Sequence, residues 1–250
     1  MNLNQIIYKM AIQFFIILVL LLVLILLLLS ELNSKNVSSP ILPIYIVSLP
    51  ARKEDRLYTL LAKIKNSDSY YIKDINAVNG NNVVVEHYLN NGQIGCWLSH
   101  VYFWKLIVSQ KEPYALILED DADIYLPEMF QSIVTILNKL PRLWDLCYLG
   151  GWYLDNNPIY INRIALTENQ NIVQSKTSKL YQTHAYLITK KCANKLLKQS
   201  NSFNTSYQRS SYKYISPVDD WMSAPERNIE IFKIEPNLIS PLYDNISDTT

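Results

Sequence analysis

Four carboxylates lie together near the middle of the chain, directly after the apolar run 114–118: Glu119, Asp120, Asp121 and Asp123. Carboxylates this close repel one another and raise each other's pKa unless a cation lies among them. A hard divalent cation with oxygen ligands is the obvious partner. Because side chains alternate along an extended chain, Asp121 and Asp123 are predicted to point to the same side and to hold one ion together.

The acidic cluster also has a simpler interpretation. A solvated acidic loop can stabilise the N-terminus of the helix that the pattern places near Pro127. Short acidic motifs are also common in proteins that bind no ion there. The cluster alone leaves both interpretations open.

The elements around the cluster place it at one edge of a sheet. Apolar runs typical of buried strands alternate with stretches whose apolar residues recur at helical spacing. This alternation predicts a central, mixed but mostly parallel sheet with helices on both faces, in which ligands bind beyond the carboxyl ends of the strands. The predicted strands are 41–49, 114–118, 145–149, 184–188 and 230–234, and the predicted helices are 54–65, 99–110, 127–140 and 191–197.

Charge and cysteine content exclude some classes of protein. The formal net charge of the 250 residues is +1, which does not favour a nucleic-acid partner. The three cysteines, Cys96, Cys147 and Cys192, match neither a disulfide framework nor a zinc-site spacing. Each is predicted to be a small buried apolar residue.

The N-terminal region contains a long apolar run. Residues 10–29 carry no charge, and twenty such residues are enough for a transmembrane helix. A cleaved signal peptide is the alternative, but the run is long for one and no clear small-residue cleavage site follows it. Lys9 before the run favours a cytosolic N-terminus and a single-pass type II membrane protein. The predicted organisation is a tail (1–9), the membrane helix (10–29), a stem (30–40), one α/β domain (41–245) and a tail (246–250).

Several short motifs accompany the acidic cluster in a recognisable order. They are IYIVSL at 44–49 followed by Arg52 and Arg56, GQIGCWLSH at 92–100, ALILEDD at 115–121, DLCYLG at 145–150, THAYLIT at 183–189 and PVDDW at 217–221. Together they resemble glycosyltransferase family 25, which includes bacterial lipooligosaccharide galactosyltransferases and animal collagen galactosyltransferases. The resemblance covers essentially the whole domain. Gln93 departs from the family pattern, which usually has an acid at that position.

The resemblance implies a GT-A-type, Rossmann-like single domain. Its implied reaction is the inverting transfer of a hexose, most often galactose, from a UDP-sugar to a hydroxyl of a glycan or a protein. Mn²⁺, or another divalent cation, is the implied cofactor and would stabilise the departing diphosphate. A carboxylate would take the proton from the acceptor hydroxyl.

The resemblance also suggests roles for individual side chains. Asp121 and Asp123 are predicted to bind the metal, with Glu119 as an alternative ligand, and Asp120 to bind the ribose or the ion. Two arginines, Arg52 and Arg56, are predicted to hold the diphosphate or the nucleotide through their guanidinium groups. A solvated first helical turn explains the arginines equally well.

The base and one histidine are assigned in the same way. Asp219 or Asp220 is the candidate base, with a helix N-cap as the alternative for each. Asp220 is favoured because the neighbouring Trp221 could form part of an acceptor wall. His100 is a candidate substrate-binding residue, although a histidine at the start of a helix is more often packed or capping.

Two other functional classes are weighed against a transferase. A binding or adhesion protein could keep the fold without turnover, but the presence of all four carboxylates favours catalysis. A metal-dependent hydrolase would want several histidine ligands, and the chain has only His87, His100 and His184.

Overall fold

A computed structural model describes residues 13–25, 41–64, 70–83, 89–124, 129–155, 157–175, 179–206 and 216–242. The chain divides into two units, Met1–Pro40 and Ile41–Thr250. The predicted tails (1–9 and 246–250) and the predicted stem (30–40) lie outside the described residues.

The described part of the first unit is one helix, α1, over residues 13–25. Within the described residues, no helix has both the length and the apolar character needed to cross a membrane. The predicted transmembrane helix over 10–29 is therefore wrong, and so is the type II single-pass arrangement that depended on it. Residues 10–12 and 26–29 lie outside the described part.

The second unit is built on an eight-stranded sheet with the order β2-β1-β3-β10-β5-β11-β8-β7. Two pairs of short strands, β4 with β12 and β6 with β9, form small separate ladders. In chain order the strands are β1 Leu42–Ser48, β2 Tyr70–Asn76, β3 Tyr114–Glu119, β4 Ala122–Asp123, β5 Leu146–Tyr148, β6 Trp152–Tyr153, β7 Tyr160–Ala165, β8 Asn171–Ser175, β9 Leu180–Tyr181, β10 Ala185–Thr189, β11 Ile231–Glu235 and β12 Ser240–Pro241.

The large sheet is mixed, as predicted, but it is not mostly parallel. Over the described residues, β1 is parallel to β2 and β3, and β5 is parallel to β11. The other four pairings are antiparallel, and β10 is antiparallel to both β3 and β5. The parallel half, β2-β1-β3, is the part that brings strand ends together at the acidic cluster.

Helices cover both faces of the sheet. They are α2 Tyr58–Lys63, α3 Asn91–Ser109, α4 Met129–Lys139, α5 Lys190–Ser206 and α6 Val218–Ser223, with shorter helical turns at Pro50–Arg52, Lys53–Leu57, Gly80–Asn82 and Pro225–Arg227. The buried β1 shows the division: Ile44 and Ile46 share a core with Ile133 of α4, whereas Tyr45 shares the opposite core with Phe103 of α3. Successive strand residues thus face opposite layers.

Helix α3 begins eight residues before the predicted start of 99. Its first turn is closed by a capping box, in which the side chain of Asn90 accepts from the backbone N–H of Gln93 and the side chain of Gln93 accepts from that of Asn90. Gln93 therefore has a structural role, which the acid usual in the family would fill equally well. Cys96 and His100, four residues apart, lie on the same face of this helix.

Candidate active site

A cavity of about 480 Å³ opens where β1, β2 and β3 end. Helix α3 and the loop that follows β2 form much of its wall. Its lining residues are Val47, Ser48, Leu49, Ala77, Val78, Asn79, Gly80, Asn81, Asn90, Asn91, Gly92, Gly95, Cys96, Ser99, His100, Glu119 and Asp120. A cavity beyond the carboxyl ends of parallel strands is the usual ligand site of such sheets.

Two glycines allow the loop after β2 to lie against α3. A Cβ on Gly95 would be 2.4 Å from the backbone oxygen of Val78, and one on Gly80 would be 1.6 Å from the backbone oxygen of Asn91. The hydroxyl of Ser99 accepts a 2.9 Å hydrogen bond from the backbone N–H of Val78 and so fixes the same contact. This wall of the cavity therefore depends on the absence of side chains at both positions.

Glu119, the last residue of β3, is a carboxylate of the cavity wall that two other side chains hold in place. Its Oε1 atom accepts from the Thr183 hydroxyl at 2.5 Å and lies 3.2 Å from Nε2 of His100. Burial raises the pKa of Glu119, but the hydrogen bond and charge of His100, the Thr183 hydroxyl and the charge of His184 outweigh it and leave the pKa below its ordinary value. Glu119 is therefore ionised at neutral pH.

His100 is both packed and part of the cavity wall. Its ring is fully buried, and its Nδ1 lies 2.7 Å from the hydroxyl of Tyr186 on β10. The structure therefore combines the two predicted alternatives, a packed histidine and a site histidine: the ring lies in the core, and its Nε2 atom is directed at Glu119. Whether it contacts a substrate stays a prediction.

The two arginines differ. Arg56 is 5% exposed and forms an ion pair at 3.7 Å with the buried Asp120, so a solvated helical turn does not describe it. Arg52 pairs with Asp55 at 2.7 Å, within the turns that follow β1. The structure thus places Arg56 beside the carboxylate cluster, while the shared role of both arginines in holding a diphosphate stays a prediction.

Asp121 and Asp123 have contrasting surroundings, and neither is among the residues that line the cavity. A side-chain oxygen of Asp121, Oδ1, is buried without a hydrogen-bond partner in the described part of the chain. Burial and the charges of Glu119 and Asp120, partly offset by Arg56, raise the Asp121 pKa from 3.8 to about 7. Asp123 instead forms a 2.7 Å ion pair with Lys63 of α2.

This acidic group suits a hard divalent cation in its chemistry. Carboxylate oxygens are the preferred ligands of Mn²⁺ and Mg²⁺, and the buried unpartnered Oδ1 atom of Asp121 is the kind of oxygen that an ion would satisfy. For Asp123 to bind the ion, its Lys63 partner must move aside or share it. The predicted ligand set of Asp121, Asp123 and Glu119 stays a prediction.

The candidate bases lie in the first turn of α6. Asp219 accepts hydrogen bonds from the backbone N–H groups of Gln182 at 3.0 Å and Asp220 at 2.8 Å, whereas Asp220 forms a 2.7 Å ion pair with Lys179. Trp221 is 6% exposed and packs between Trp97 and Trp104. Because Trp221 belongs to the core, it gives no reason to prefer Asp220.

Two site residues were not singled out from the sequence. Thr183, just before β10, holds Glu119, and Cys96, predicted to be simply buried, lines the cavity. Burial, the charge of Glu119 and, to a smaller extent, those of Asp219 and Asp121 raise the pKa of the Cys96 thiol well above its usual range, while the Thr183 hydroxyl acts in the opposite direction. Thr183 belongs to the motif THAYLIT and Cys96 to the motif GQIGCWLSH. Their place in these motifs was the only feature of the sequence that could have indicated a role in the site. The other two cysteines are buried, as expected, and all three are free.

Curated relatives of this chain are transferases by name. Procollagen galactosyltransferase 1-B of Xenopus laevis is 26% identical over 231 residues, which cover 80% of this chain and 36% of that protein. A glycosyltransferase 25 family member of Drosophila melanogaster is 30% identical over 168 residues, covering 61% and 25%. The chain thus spans about a third or less of the length of these relatives.

Solved structures align with this chain only at low similarity. The glycosyltransferase GlyE of Streptococcus pneumoniae TIGR4 aligns with a TM-score of 0.43 and 8% identity, over 78% of this chain and 45% of that one. The sequence model of glycosyltransferase family 25 (LPS biosynthesis protein) matches residues 41–222, which include the acidic cluster, the whole of α3 and both candidate bases. With a match over most of its length, the chain belongs to glycosyltransferase family 25.

Proposed function

We propose that this chain is a glycosyltransferase that moves a hexose, galactose, with inversion from a UDP-sugar to a hydroxyl group of a glycan or a protein. The observation that carries the proposal is the environment of Glu119. Its carboxylate is held ionised by His100 and Thr183 in the wall of a 480 Å³ cavity at the ends of the parallel strands. The names of the procollagen galactosyltransferase relatives support the choice of sugar.

An ionised carboxylate suits this reaction. As the bond to the leaving diphosphate breaks, the anomeric carbon acquires positive character, as it does in glycoside hydrolysis. A fixed negative charge in a largely buried wall stabilises that character without having to reorganise. The hydrogen bonds on Oε1 of Glu119 provide such fixation.

The donor diphosphate carries the opposite requirement, because its negative charge must be balanced. Arg56 is buried and forms an ion pair with Asp120 of the carboxylate cluster. We assign its guanidinium group to the diphosphate. Asp121 and Asp123, with Glu119 as the alternative ligand, would hold Mn²⁺ or a similar cation. When bound, that cation supplies Lewis-acid stabilisation of the leaving diphosphate.

The acceptor hydroxyl needs a base. Of the two candidates on α6, we assign the role to Asp219, because it bonds the backbone of Gln182, the neighbour of the site residue Thr183, whereas Asp220 is paired with Lys179. The base takes the hydroxyl proton as the oxygen attacks the anomeric carbon. Asp220 remains the comparison in the corresponding experiment.

A turnover assay tests the proposal. The purified full chain is given UDP-galactose, Mn²⁺ and a panel of acceptors with sugar or hydroxylysine hydroxyls, and release of UDP and formation of product are measured. We expect turnover by the wild type and a loss of roughly 10²-fold or more in Glu119→Gln, since a fixed transition-state charge contributes about that much. Glu168→Gln, in an exposed turn, is the matched control and should retain full activity.

Two results would contradict the proposal. A folded wild type that turns over no UDP-sugar with any acceptor would refute transfer, and sugar-nucleotide binding without turnover would support the binding-protein alternative. Wild-type activity in Glu119→Gln would remove the observation on which the proposal depends.

The metal assignment has a separate test in Mn²⁺ binding by calorimetry. Because Lys63 competes for Asp123, Lys63→Gln should increase Mn²⁺ affinity, and Asp123→Asn should decrease it. Asp121→Asn should decrease it as well. Lys105→Gln, at an exposed position of α3, should leave the affinity unchanged. Equal affinities in wild type, Lys63→Gln and Asp123→Asn would exclude Asp123 as a ligand.

A further inference from the structure

Three groups of different chemistry meet in the cavity wall. The thiol of Cys96, the ring of His100 and the carboxylate of Glu119 each offer one ligand atom, and these atoms all lie within 4.8 Å of one another. Cys96 and His100 come from adjacent turns of α3, and Glu119 comes from the end of β3. All three line the cavity, so an ion can reach them from it.

The spacing of two of these ligands already fits a tetrahedral ion. Nε2 of His100 and Oε1 of Glu119 are 3.2 Å apart. Zinc bonds of ~2.0–2.1 Å to nitrogen and oxygen, at a tetrahedral angle, separate two ligand atoms by roughly 3.3 Å. These two atoms therefore already have the separation that a single tetrahedral ion requires.

The hydrogen-bond partners of His100 and Glu119 are also of the kind found around metal ligands. A ligating histidine usually donates its other ring N–H to an oxygen acceptor, which fixes the ring. Nδ1 of His100 lies 2.7 Å from the Tyr186 hydroxyl, which can either donate or accept. The Thr183 hydroxyl donates to Glu119 at 2.5 Å and orients its carboxylate in the same way.

We propose that Cys96, His100 and Glu119 form a binding site for a thiophilic divalent cation of the zinc type, separate from the oxygen ligands Asp121 and Asp123. Thiolate and imidazole select zinc over manganese, whereas an all-carboxylate set does not. Three protein ligands leave the fourth position open to the cavity, for water or for an oxygen of a ligand. On binding, the Cys96 thiol loses its proton to water, and the proton on Nε2 of His100 moves by way of water to Nδ1, which then donates to the Tyr186 hydroxyl.

This site has a consequence for the proposed transfer reaction. An ion bound here takes up the carboxylate of Glu119, so Zn²⁺ would inhibit the transferase. That consequence rests on the proposed function, whereas binding of the ion does not. The test below therefore uses spectroscopy and chemical labelling, which report on the site even if the chain transfers no sugar.

Cobalt is the probe, because Co²⁺ replaces zinc and a cysteine thiolate bound to it gives a charge-transfer band in the near ultraviolet. The full chain, freed of metal with a chelator, is titrated with Co²⁺ and then with Zn²⁺. We expect the band to appear with wild type and to disappear as Zn²⁺ displaces the cobalt. The band should be lost in Cys96→Ser and kept in Cys192→Ser, because Cys192 is a fully buried residue of α5 that does not line the cavity. No band in wild type, or an unchanged band in Cys96→Ser, would overturn the proposal.

A measurement on the unmodified chain covers the case in which Cys96→Ser fails to fold. Iodoacetamide labelling of Cys96, at a pH high enough for the zinc-free chain to be labelled at a measurable rate, is followed by mass spectrometry in the presence of Zn²⁺, Mn²⁺ or neither. Zn²⁺ should slow the labelling at least tenfold and Mn²⁺ should leave it nearly unchanged. Equal labelling rates in all three conditions would show that the thiol binds no zinc.

Discussion

The hydroxyl of Thr183 donates a 2.5 Å hydrogen bond to Oε1 of Glu119, although 64 residues separate them. The sheet explains the contact. Strand β10 runs antiparallel to β3 with Ala185 opposite Leu118, and the backbone N–H of Glu119 bonds the carbonyl of His184. Thr183, two residues before the start of β10, is thereby brought to Glu119, which ends β3. Because β10 is antiparallel to β3, the start of β10 lies beside the end of β3, and Thr183 can donate to the site. If β10 were parallel to β3, Thr183 would lie at the opposite edge of the sheet.

Thr183→Val should weaken the hold on the Glu119 carboxylate. Without the hydroxyl, less hydrogen bonding favours the ionised form, so the pKa of Glu119 rises. A hydrogen bond to a charged group contributes ~1.5–3 kcal/mol, so we expect the acid limb of the pH–rate profile to move up by about one pH unit or more. The measurement is turnover from pH 4 to 8.

Thr183→Ser is the matched control, because it keeps the hydroxyl, and its profile should follow the wild type. The same variants report on stability. A lowered Glu119 pKa stabilises the fold above the ordinary pKa of 4.5, and this stabilisation is lost as the pH falls through the lowered value. In Thr183→Val this stabilisation should be smaller, because the pKa of Glu119 in the folded state then lies closer to its ordinary value. Identical profiles for Val and Ser would show that the hydroxyl does not act on Glu119.

Asp121 should make the metal-free fold less stable as the pH rises. Its pKa is raised from 3.8 to about 7, so folding favours the protonated carboxyl. The resulting stabilisation is present below pH 4 and is lost as the pH rises through about 7. In a chelating buffer, the melting temperature of Asp121→Asn should therefore exceed that of the wild type at pH 8 and approach it at pH 4. A wild type whose melting temperature rises steadily over this range relative to Asp121→Asn would contradict the raised pKa.

Gly95→Ala should damage the wall of the cavity. The new methyl group would lie 2.4 Å from the Val78 oxygen, so either the loop after β2 or the first turns of α3 must shift. Overpacking of this kind costs ~1–3 kcal/mol, and the shift should also weaken UDP-sugar binding. Thermal unfolding measures the loss of stability, and calorimetric titration with the UDP-sugar measures the loss of donor affinity. Lys105→Ala, at an exposed position of the same helix, should change neither. Unchanged donor affinity in Gly95→Ala would show that the loop is not part of the binding site.

The strands beside the site could be predicted because their sequences are strongly apolar. The predicted runs 41–49 and 114–118 differ by at most one residue at either end from β1 and β3. The chain direction of β10 could not be predicted, because its apolar residues fit a parallel or an antiparallel neighbour equally well. The pairing with Glu119, and hence the role of Thr183, followed from that direction.

Other features were hidden by local sequence. Strand β2, YYIKDIN, includes a lysine and an aspartate, which obscure it as a buried strand. The start of α3 was missed because Gly92 and Gly95 are poor helix formers, although the capping box and the packing of α3 stabilise its first turns. Cys96 was taken for a core residue because neither its motif nor its spacing shows that His100 and Glu119 lie beside it.

The choice of base gives the last prediction. Asp219→Asn should reduce turnover by ~10²–10⁴-fold if Asp219 takes the acceptor proton. Because Asp219 also accepts from the backbone of Gln182, whose φ is +78°, a lower melting temperature is expected as well. UDP-sugar affinity, measured by calorimetry at a temperature where the variant is folded, should be nearly unchanged, which separates loss of the base from loss of the fold.

Asp220→Asn should reduce turnover less than tenfold. Its side chain is held in an ion pair by Lys179, so we do not expect it to take the acceptor proton. Lys179→Gln, which removes the same ion pair from the other side, is the control and should behave like Asp220→Asn. If Asp220→Asn instead lost turnover while Lys179→Gln did not, Asp220 would be the base. If both aspartate variants kept near wild-type turnover, the base would lie elsewhere. Glu119, already ionised in the cavity wall, would then be the next carboxylate to test.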